Sequence, residues 1–408
     1  MIVDIINKKR LGGELTYKEL EFFFNSYLRG TIKDYQMSAL LMAICINGMT
    51  DQEIFDLTRI FIDSGETLDF NAIEGIKVDK HSTGGIGDKT TLIIAPIVAS
   101  LGVPVVKMSG RGLGYTGGTI DKLESIKGFR TNLSDEEIFK QVKDIGVVVT
   151  GQTADLAPMD KAIYALRDVT GTVSSIPLIA SSIMSKKIAG GAEKILIDIK
   201  VGNGALLHTM NDANKLSELM LKIGKYYNRE VRTIISDMDT PLGRTVGNSI
   251  EVLEAVDVLA GREKNNNLVE LCIDLASNMV SMGKEISYED ARNQVIKVIN
   301  DGGAYQKFVE LVEAQGGDIN SIKVCDNVVE VLADRSGTLK EINALELGKL
   351  SVKLGAGRIN KEDEINHGVG IYLEKLVGDS VKKDDVLARI FVDKITDNLK
   401  ISNIFVIK

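Results

Sequence analysis

Five short apolar runs alternate with helical segments after residue 75, and this alternation constrains the fold more than any other feature of the chain. The runs are IKVDK, PVVKM, GVVVTG, KILIDIK and VRTIISDM, which begin at residues 76, 104, 146, 194 and 231. Apolar runs separated by helices are typical of strands in a largely parallel sheet that is covered on both faces. The sequence therefore predicts an α/β fold, with an active site where loops gather at the carboxyl ends of the strands.

Two further helical regions lie before the first of these strands and between the third and the fourth. In residues 1–70 the pairs Thr16 with Glu19 and Thr50 with Glu53 have the spacing of capping boxes, each just before a helical pattern. The segment QMSALLMAICING is apolar nearly all round, which indicates either a core helix or an oligomer interface. Residues 160–192 also have a helical pattern, and we expect them to rejoin the amino-terminal helices.

The 408-residue chain is too long for one ordinary hydrophobic core, so several domains are expected. The predicted α/β fold has a helical domain (1–70 and 160–192), a large mixed α/β domain with a mostly parallel sheet (75–155 and 193–330), and a small C-terminal β-rich α+β subdomain (335–408). In the subdomain, Gly-Asp turns separate alternating segments, which favours antiparallel strands.

Composition excludes several classes of function. The net charge of −8 argues against a nucleic-acid partner, which would favour a basic face. The longest apolar stretches contain Pro and Gly and are too short to cross a bilayer, and the amino terminus has no secretion-signal pattern. Cys45, Cys272 and Cys325 are far apart in apolar patterns, which predicts reduced, buried thiols. We therefore expect a cytoplasmic protein without a membrane partner.

The segment VDKHSTGGIGDKT, residues 78–90, predicts an anion site. A strand leads into Gly84, Gly85 and Gly87, and a helix follows from about Lys89. This order places free backbone N–H groups and a helix amino terminus at a sheet edge, where Lys80 and Lys89 add positive charge. The glycine spacing matches neither the dinucleotide fingerprint nor the nucleoside-triphosphate loop, and a tight structural turn is the alternative interpretation.

A second segment, VVKMSGRGLGYTGGTIDKLES, repeats the strand–glycine–helix order. Its strand ends near Lys107, and its turn carries Ser109, Arg111 and Thr116. Thr119 and Asp121 mark the start of the next helix. Two such units bearing lysine and hydroxyl side chains at their strand ends are suited to surround one phosphate group from two sides. The sequence therefore predicts a phosphate site.

The motifs SGRGLGYTGGTIDKLES and KHSTGG closely resemble the signature of the thymidine and pyrimidine-nucleoside phosphorylases. The likeness continues through ALRDVTGTV and SSIMSKKIAGG to LGAGR near the carboxyl terminus. It implies reversible phosphorolysis, in which a pyrimidine nucleoside and phosphate give the free base and a pentose 1-phosphate with inversion at the anomeric carbon. It also implies a role in nucleoside salvage and a homodimer formed through the helical domain.

The resemblance implies roles for individual residues. The implied phosphate-binding residues are Lys80, His81, Ser82, Thr91, Lys107, Met108, Ser109 and Thr119. The implied base-binding and catalytic residues are His81, Arg167, Ser182 and Lys186. Cationic donors at the base would stabilise the negative charge that develops on the departing pyrimidine, and His81 would donate a proton or hydrogen bond to it. Phosphate and base residues lie in different predicted domains, so the resemblance implies domain closure, with hinges near 66–75, 151–160 and 188–194.

The same resemblance implies a potassium ion held mainly by backbone carbonyl groups. The implied residues are Gly87, Lys89, Leu242, Thr245 and Glu254. Carbonyl and carboxylate oxygens suit a hard cation. The chain departs from the family pattern at Asn366 and His367, where an acidic residue and a small residue or proline are expected. This departure concerns stability or dimer geometry more than chemistry.

Two other functions remain open from the sequence. An anthranilate phosphoribosyltransferase-like enzyme also combines a helical domain with glycine-rich phosphate loops, but KHSTGG and the pair Arg167 and Lys186 favour the phosphorylase. A non-catalytic nucleoside or phosphate sensor on the same scaffold is the second alternative. The preference among uridine, thymidine and deoxyuridine depends on pocket shape and is not predicted.

Overall fold

The structure is a computed structural model, which describes residues 1–112, 114–115, 117–152, 156–264, 266–358, 363–395 and 403–408. The chain divides into two compact units. The helical unit comprises Met1–Ala72, Thr153–Ile197 and Thr209–Thr233, and the α/β unit comprises Ile73–Gln152, Asp198–His208 and Ile234–Lys408.

The helices of the described residues are α1 Ile2–Arg10, α2 Tyr17–Leu28, α3 Asp34–Asn47, α4 Asp51–Asp63, α5 Thr90–Ser100, α6 Thr119–Leu123, α7 Asp135–Ile145, α8 Pro158–Asp168, α9 Ile176–Ala189, α10 Met210–Tyr226, α11 Ser249–Leu259, α12 Asn267–Lys284, α13 Tyr288–Asn300, α14 Gly303–Ala314 and α15 Ala344–Lys353. The strands are β1 Val78–Ser82, β2 Val105–Ser109, β3 Val147–Gly151, β4 Lys194–Val201, β5 Glu230–Asp237, β6 Thr245–Gly247, β7 Asn327–Leu332, β8 Gly337–Ile342, β9 Gly370–Leu373, β10 Ser380–Val381, β11 Val386–Val392 and β12 Phe405–Ile407.

The amino-terminal helices begin where the sequence predicts. Thr16 and Thr50 each accept a hydrogen bond from the backbone N–H three residues on, and both predicted capping boxes are present. The apolar helix α3 buries Met37, Leu40, Leu41 and Ile44 in the core of the helical unit, whereas Ile46 remains 75% exposed. Met159 and Leu178, from α8 and α9, belong to the same apolar core as the amino-terminal helices.

Helix α10 also belongs to the helical unit, whereas the sequence analysis assigned all of 193–330 to the α/β domain. The Tyr226 ring stacks on Phe55 of α4 with 4.4 Å between the ring centroids. The Tyr227 hydroxyl donates to the Phe55 carbonyl at 2.8 Å, and Lys222 forms an ion pair with Asp51 at 2.7 Å. These contacts to α4 explain the difference, because strand alternation gives no information about which unit a helix covers.

The α/β unit contains β1, β2 and β3, together with the part of β4 from Asp198 onward and the part of β5 from Ile234 onward. Strands β2 and β3 pair in parallel, with Val105 opposite Val147, and β1, β4 and β5 form a sheet in the order β1-β4-β5. Strand β1 begins at Val78 rather than near residue 76 and extends to Ser82. The Thr83 N–H, just after it, donates to the Asp198 carbonyl at 3.0 Å, so hydrogen bonding to β4 continues past the predicted strand end.

The carboxy-terminal region is β-rich and antiparallel, as predicted. Strands β6, β9, β11 and β7 form one sheet in that order, and β10, β8 and β12 form another. The region nevertheless groups with the α/β unit. Strand β6 follows the loop that carries Leu242, and it pairs with β9 through Val246 opposite Ile371, so main-chain hydrogen bonds connect the two parts.

The cysteine prediction is partly confirmed. All three thiols are free, but only Cys272 is fully buried, and burial raises its pKa. Cys45, which packs against the core of the helical unit, and Cys325 are only half-buried. Among the described residues, no helix combines the length and the apolar character needed to cross a membrane.

Candidate active site

Lys80, in strand β1, lies in a buried cluster of charged side chains in the α/β unit. Its side chain is 1% exposed. The ammonium donates to the Thr90 hydroxyl at 2.6 Å and forms an ion pair with Asp198 at 3.1 Å. Asp198 also pairs with Lys200 at 2.8 Å. One carboxylate therefore lies between two lysines, and the charges of both lysines also act on Asp88 of the first glycine loop.

Asp88 fixes the shape of the first glycine loop. Its carboxylate accepts hydrogen bonds from the Ser82 and Thr90 hydroxyls, and the Thr90 N–H donates to it at 3.2 Å. Burial acts to raise the pKa of Asp88, but the charges of Lys80 and Lys200 and the two hydroxyl donors outweigh it and hold the pKa well below its usual value. The loop is thus closed by an ionised carboxylate between the end of β1 and the start of α5.

The second glycine loop is attached to the first through Lys107. The Lys107 ammonium donates to the Lys80 carbonyl at 2.8 Å and lies 3.7 Å from Asp79. These bonds join the ends of β2 and β1. The predicted phosphate residues therefore flank two adjoining loops, at the ends of β1 and β2 and the starts of α5 and α6. Among them, Thr91 and Met108 are buried, and Ser109 and Thr119 are half-buried. Thr116 lies outside the described residues.

The second loop is also held by Lys122 and Asp121 of α6. The Lys122 ammonium donates to the Asp88 carbonyl at 2.7 Å and pairs with Glu251 of α11 at 2.7 Å, with both side chains buried. The Asp121 carboxylate accepts from the Gly112 N–H at 2.6 Å and from Arg358 at 3.0 Å. Sequence reasoning did not identify these anchors.

The residues predicted to hold potassium come together, but the Lys89 side chain lies among their oxygen atoms. The Lys89 ammonium donates to the carbonyls of Leu242 at 2.8 Å and Thr245 at 2.9 Å, and to the Glu254 carboxylate at 2.8 Å. Gly87 packs beside them, since a Cβ there would lie 2.8 Å from the Leu242 carbonyl oxygen. While the ammonium holds these oxygens, the residues do not fit a separate ion.

The predicted base-binding residues lie together in the helical unit. Arg167, on α8, is 1% exposed, whereas the next residue, Asp168, is exposed. Its guanidinium donates to the carbonyls of Thr172 at 3.2 Å, Val173 at 2.7 Å and Leu178 at 3.2 Å. Arg167 therefore also shapes the turn between α8 and α9.

Lys186 and Ser182 lie one turn apart on α9. The Lys186 ammonium donates to the Ser182 hydroxyl at 3.2 Å and pairs with Asp160 at 2.8 Å. It lies 5.7 Å from the centre of the Tyr164 ring, and the Arg167 guanidinium carbon lies 5.8 Å from the same ring. Two cations thus lie near one half-buried aromatic ring. The sequence analysis missed Tyr164 and Asp160, although both lie within one or two helical turns of Arg167.

The three histidines occupy different surroundings. His81 is half-buried near the end of β1 and, because strand side chains alternate, points away from the face that carries Lys80. A ring nitrogen of His208 lies 3.1 Å from the Gly202 carbonyl. Burial lowers the pKa of His367, whose carbonyl accepts from the Ser249 N–H at 3.1 Å. The structure thus gives His208 and His367 local contacts in the fold.

Comparison with known proteins gives matches along nearly the whole chain. Residues 3–65 match the helical bundle domain of a glycosyl transferase family, and residues 74–305 match its a/b domain. Residues 338–402 match the pyrimidine nucleoside phosphorylase C-terminal domain. The pyrimidine-nucleoside phosphorylase of Bacillus subtilis is 49% identical over 98% of this chain and 96% of its own length. That of Staphylococcus haemolyticus is 51% identical over 95% and 91%.

The solved structures give a fold-level match. The crystal structure of anthranilate phosphoribosyltransferase from Thermus thermophilus superposes with a TM-score of 0.62 and covers 76% of this chain and 99% of that one. At 17% identity this likeness concerns the fold alone. It agrees with the predicted combination of helical and α/β domains.

Proposed function

We propose that this chain, which belongs to the pyrimidine-nucleoside phosphorylase family, catalyses the reversible phosphorolysis of pyrimidine nucleosides. The observation that carries the proposal is the 49% identity to the Bacillus subtilis enzyme over 98% of the chain. The clustering of Arg167, Ser182 and Lys186 adds support, since these are the residues through which a pyrimidine is expected to be bound.

In the proposed reaction, a phosphate oxygen attacks the anomeric carbon of the sugar while the bond from that carbon to the base nitrogen breaks. The electron pair of the broken bond leaves with the base, and the configuration at the carbon is inverted. Arg167 and Lys186 stabilise the negative charge that develops on the base carbonyl oxygens, and His81 supplies a proton or hydrogen bond. No covalent enzyme intermediate is required.

Phosphate is proposed to bind the two glycine loops from the exposed side. Ser109 and Thr119 are half-buried there and offer hydroxyl donors, together with loop N–H groups. The ammonium groups of Lys80 and Lys107 are already bonded to the protein beneath the loops, so they contribute positive potential from below. Because phosphate and base residues belong to different units, the proposal includes an approach of the units during the reaction.

The homodimer, the cytoplasmic location and a role in nucleoside salvage remain parts of the same proposal. The surface of the helical unit offers apolar side chains suited to a contact between two copies. Tyr35 is 72% exposed, Ile46 is 75% exposed and Val169 is 78% exposed. Single exposed apolar residues are common on protein surfaces. The dimer proposal is supported because these three lie in the helical unit, which is also the unit through which the family resemblance implies dimer contact.

A direct assay tests the function. Purified protein is incubated with uridine, thymidine or 2′-deoxyuridine, with and without phosphate, and the free base is separated by chromatography. We expect base release only when phosphate is present. Consumption of anthranilate with phosphoribosyl pyrophosphate would support the transferase instead. Calorimetric binding of a nucleoside without base release would support the sensor.

The division of roles between the loops and α9 is tested with Lys186→Ala. We expect turnover of every pyrimidine nucleoside to fall by roughly 10²–10³-fold, because one donor to the developing anion is lost. The KM for phosphate should change little. Lys161→Ala removes an exposed lysine of α8 and serves as the matched control. An equal loss of phosphate affinity in Lys186→Ala would contradict the proposed division.

A further inference from the structure

We infer that the Lys89 ammonium is a built-in monovalent cation, which takes the place of the potassium ion expected at this site and makes the chain independent of potassium. The family resemblance implies an ion bound by the carbonyls of Leu242 and Thr245 and the carboxylate of Glu254. In the structure, those three groups are the ones that the Lys89 side chain contacts. The inference concerns the cation site and goes beyond the proposed reaction.

All the hydrogen-bond donors of the Lys89 ammonium are used. A lysine ammonium has three N–H donors, and the three oxygens lie at 2.8, 2.9 and 2.8 Å from Nζ. The Lys89 side chain is completely buried, and that of Glu254 is 6% exposed. A buried charge is stable only when it is paired and hydrogen-bonded, and both conditions are met here. The site is therefore complete without an added ion.

The Glu254 carboxylate has no spare capacity for a further cation. Besides the ammonium, it accepts hydrogen bonds from the Arg244 N–H at 2.7 Å and the Thr245 N–H at 3.0 Å. The Thr245 hydroxyl donates to it as well. A potassium ion among the same oxygens would lie close to the ammonium with no water between them, and two like charges at that separation repel strongly. The ammonium and the ion are thus mutually exclusive.

The position of Lys89 explains what the cation does. Lys89 is the residue before α5, and its own N–H donates to the Gly87 carbonyl at 2.9 Å. Its ammonium therefore ties the first glycine loop to the loop before β6 and to α11. A covalently attached cation keeps this connection whatever salt surrounds the protein, whereas a bound ion is lost when its concentration falls below its Kd.

The test compares potassium, sodium and tetramethylammonium chlorides at equal ionic strength. The first measurement is the thermal midpoint of the wild-type chain, which we expect to be the same in all three salts. The second is the midpoint of Lys89→Ala, purified in potassium chloride so that the ion can replace the ammonium. At about 100 times its Kd, potassium should raise that midpoint by roughly 3 °C relative to tetramethylammonium.

A matched control and an activity measurement complete the test. Lys140→Ala removes a lysine whose side chain is 80% exposed and should behave as the wild type does. Phosphorolysis by Lys89→Ala should rise on the order of 10-fold with potassium, whereas wild-type activity should not. A potassium-dependent wild-type midpoint, or a Lys89→Ala midpoint that responds no more than that of Lys140→Ala, would overturn the inference. The midpoints need no substrate, so their outcome is independent of the proposed function.

Discussion

Replacing Glu251 with Gln should destabilise the α/β unit far more than the same substitution in an exposed ion pair does. Glu251 pairs with Lys122 at 2.7 Å, with side chains that are 2% and 0% exposed. It also accepts a hydrogen bond from the Gly247 N–H at 3.0 Å, which a glutamine can retain. The substitution therefore removes one charge of a buried pair and little else, leaving the lysine charge uncompensated.

The expected cost follows from that burial. Removing one partner of a buried ion pair typically lowers the free energy of unfolding by about 3–5 kcal/mol, because the remaining charge is desolvated without compensation. Because Lys122 keeps its hydrogen bond to the Asp88 carbonyl, we expect Glu251→Gln to lower the free energy of unfolding by about 3 kcal/mol, near the lower end of that range. By contrast, Glu330 pairs with Arg389 at 3.5 Å with both side chains about half exposed, so Glu330→Gln should cost no more than about 1 kcal/mol.

A double variant separates charge from packing. Lys122→Met with Glu251→Leu removes both charges and leaves apolar groups of similar size, so its cost should be smaller than the sum of the two single substitutions. The chain has no tryptophan, so urea denaturation is best followed by far-ultraviolet circular dichroism. The reasoning fails if Glu251→Gln is no more destabilising than Glu330→Gln, or if the double variant costs as much as the two single changes together.

Two further predictions concern the loops. The pKa of Asp88 is held below its usual value, so its ionisation stabilises the fold above about pH 4, and this contribution is lost as the pH falls toward the folded-state pKa. The free energy of unfolding should therefore decline more steeply with acid in the wild type than in Asp88→Asn. Parallel acid profiles of the two proteins would contradict this. Gly243→Ala should lower the thermal midpoint of the protein more than Gly378→Ala does. Both glycines have positive φ, but only at Gly243 would a Cβ lie 2.5 Å from the Glu254 carboxylate. Equal shifts in the thermal midpoint would count against this packing argument.

The helix starts and the strands could be predicted from the sequence because the patterns that indicate them are local. Capping boxes at Thr16 and Thr50 and five apolar strands are each readable within about ten residues, and the structure contains all of them. The strand carrying Lys80 was displaced by two residues, because its end depends on hydrogen bonding to β4, more than a hundred residues away in the chain.

The charged anchors of the loops were missed for the same reason. Lys122 and Glu251 are separated by more than 120 residues, and each alone looks like an ordinary helix residue. Asp88 lies inside the quoted glycine segment, but nothing in the pattern shows that Ser82 and Thr90 converge on it. Likewise, the family pattern implied backbone ligands near residue 89, and only the fold shows where the Lys89 side chain goes.

The two glutamates of α11 set a limit on how the chain can vary in length. Glu251 and Glu254 are three positions apart and hold the lysines behind the second and first glycine loops respectively. Adding or deleting a single residue between them would rotate one carboxylate by about 100° around the helix axis, away from its lysine. Surface loops of this chain are free to lengthen, whereas the spacing within this one helical turn cannot change without releasing a loop.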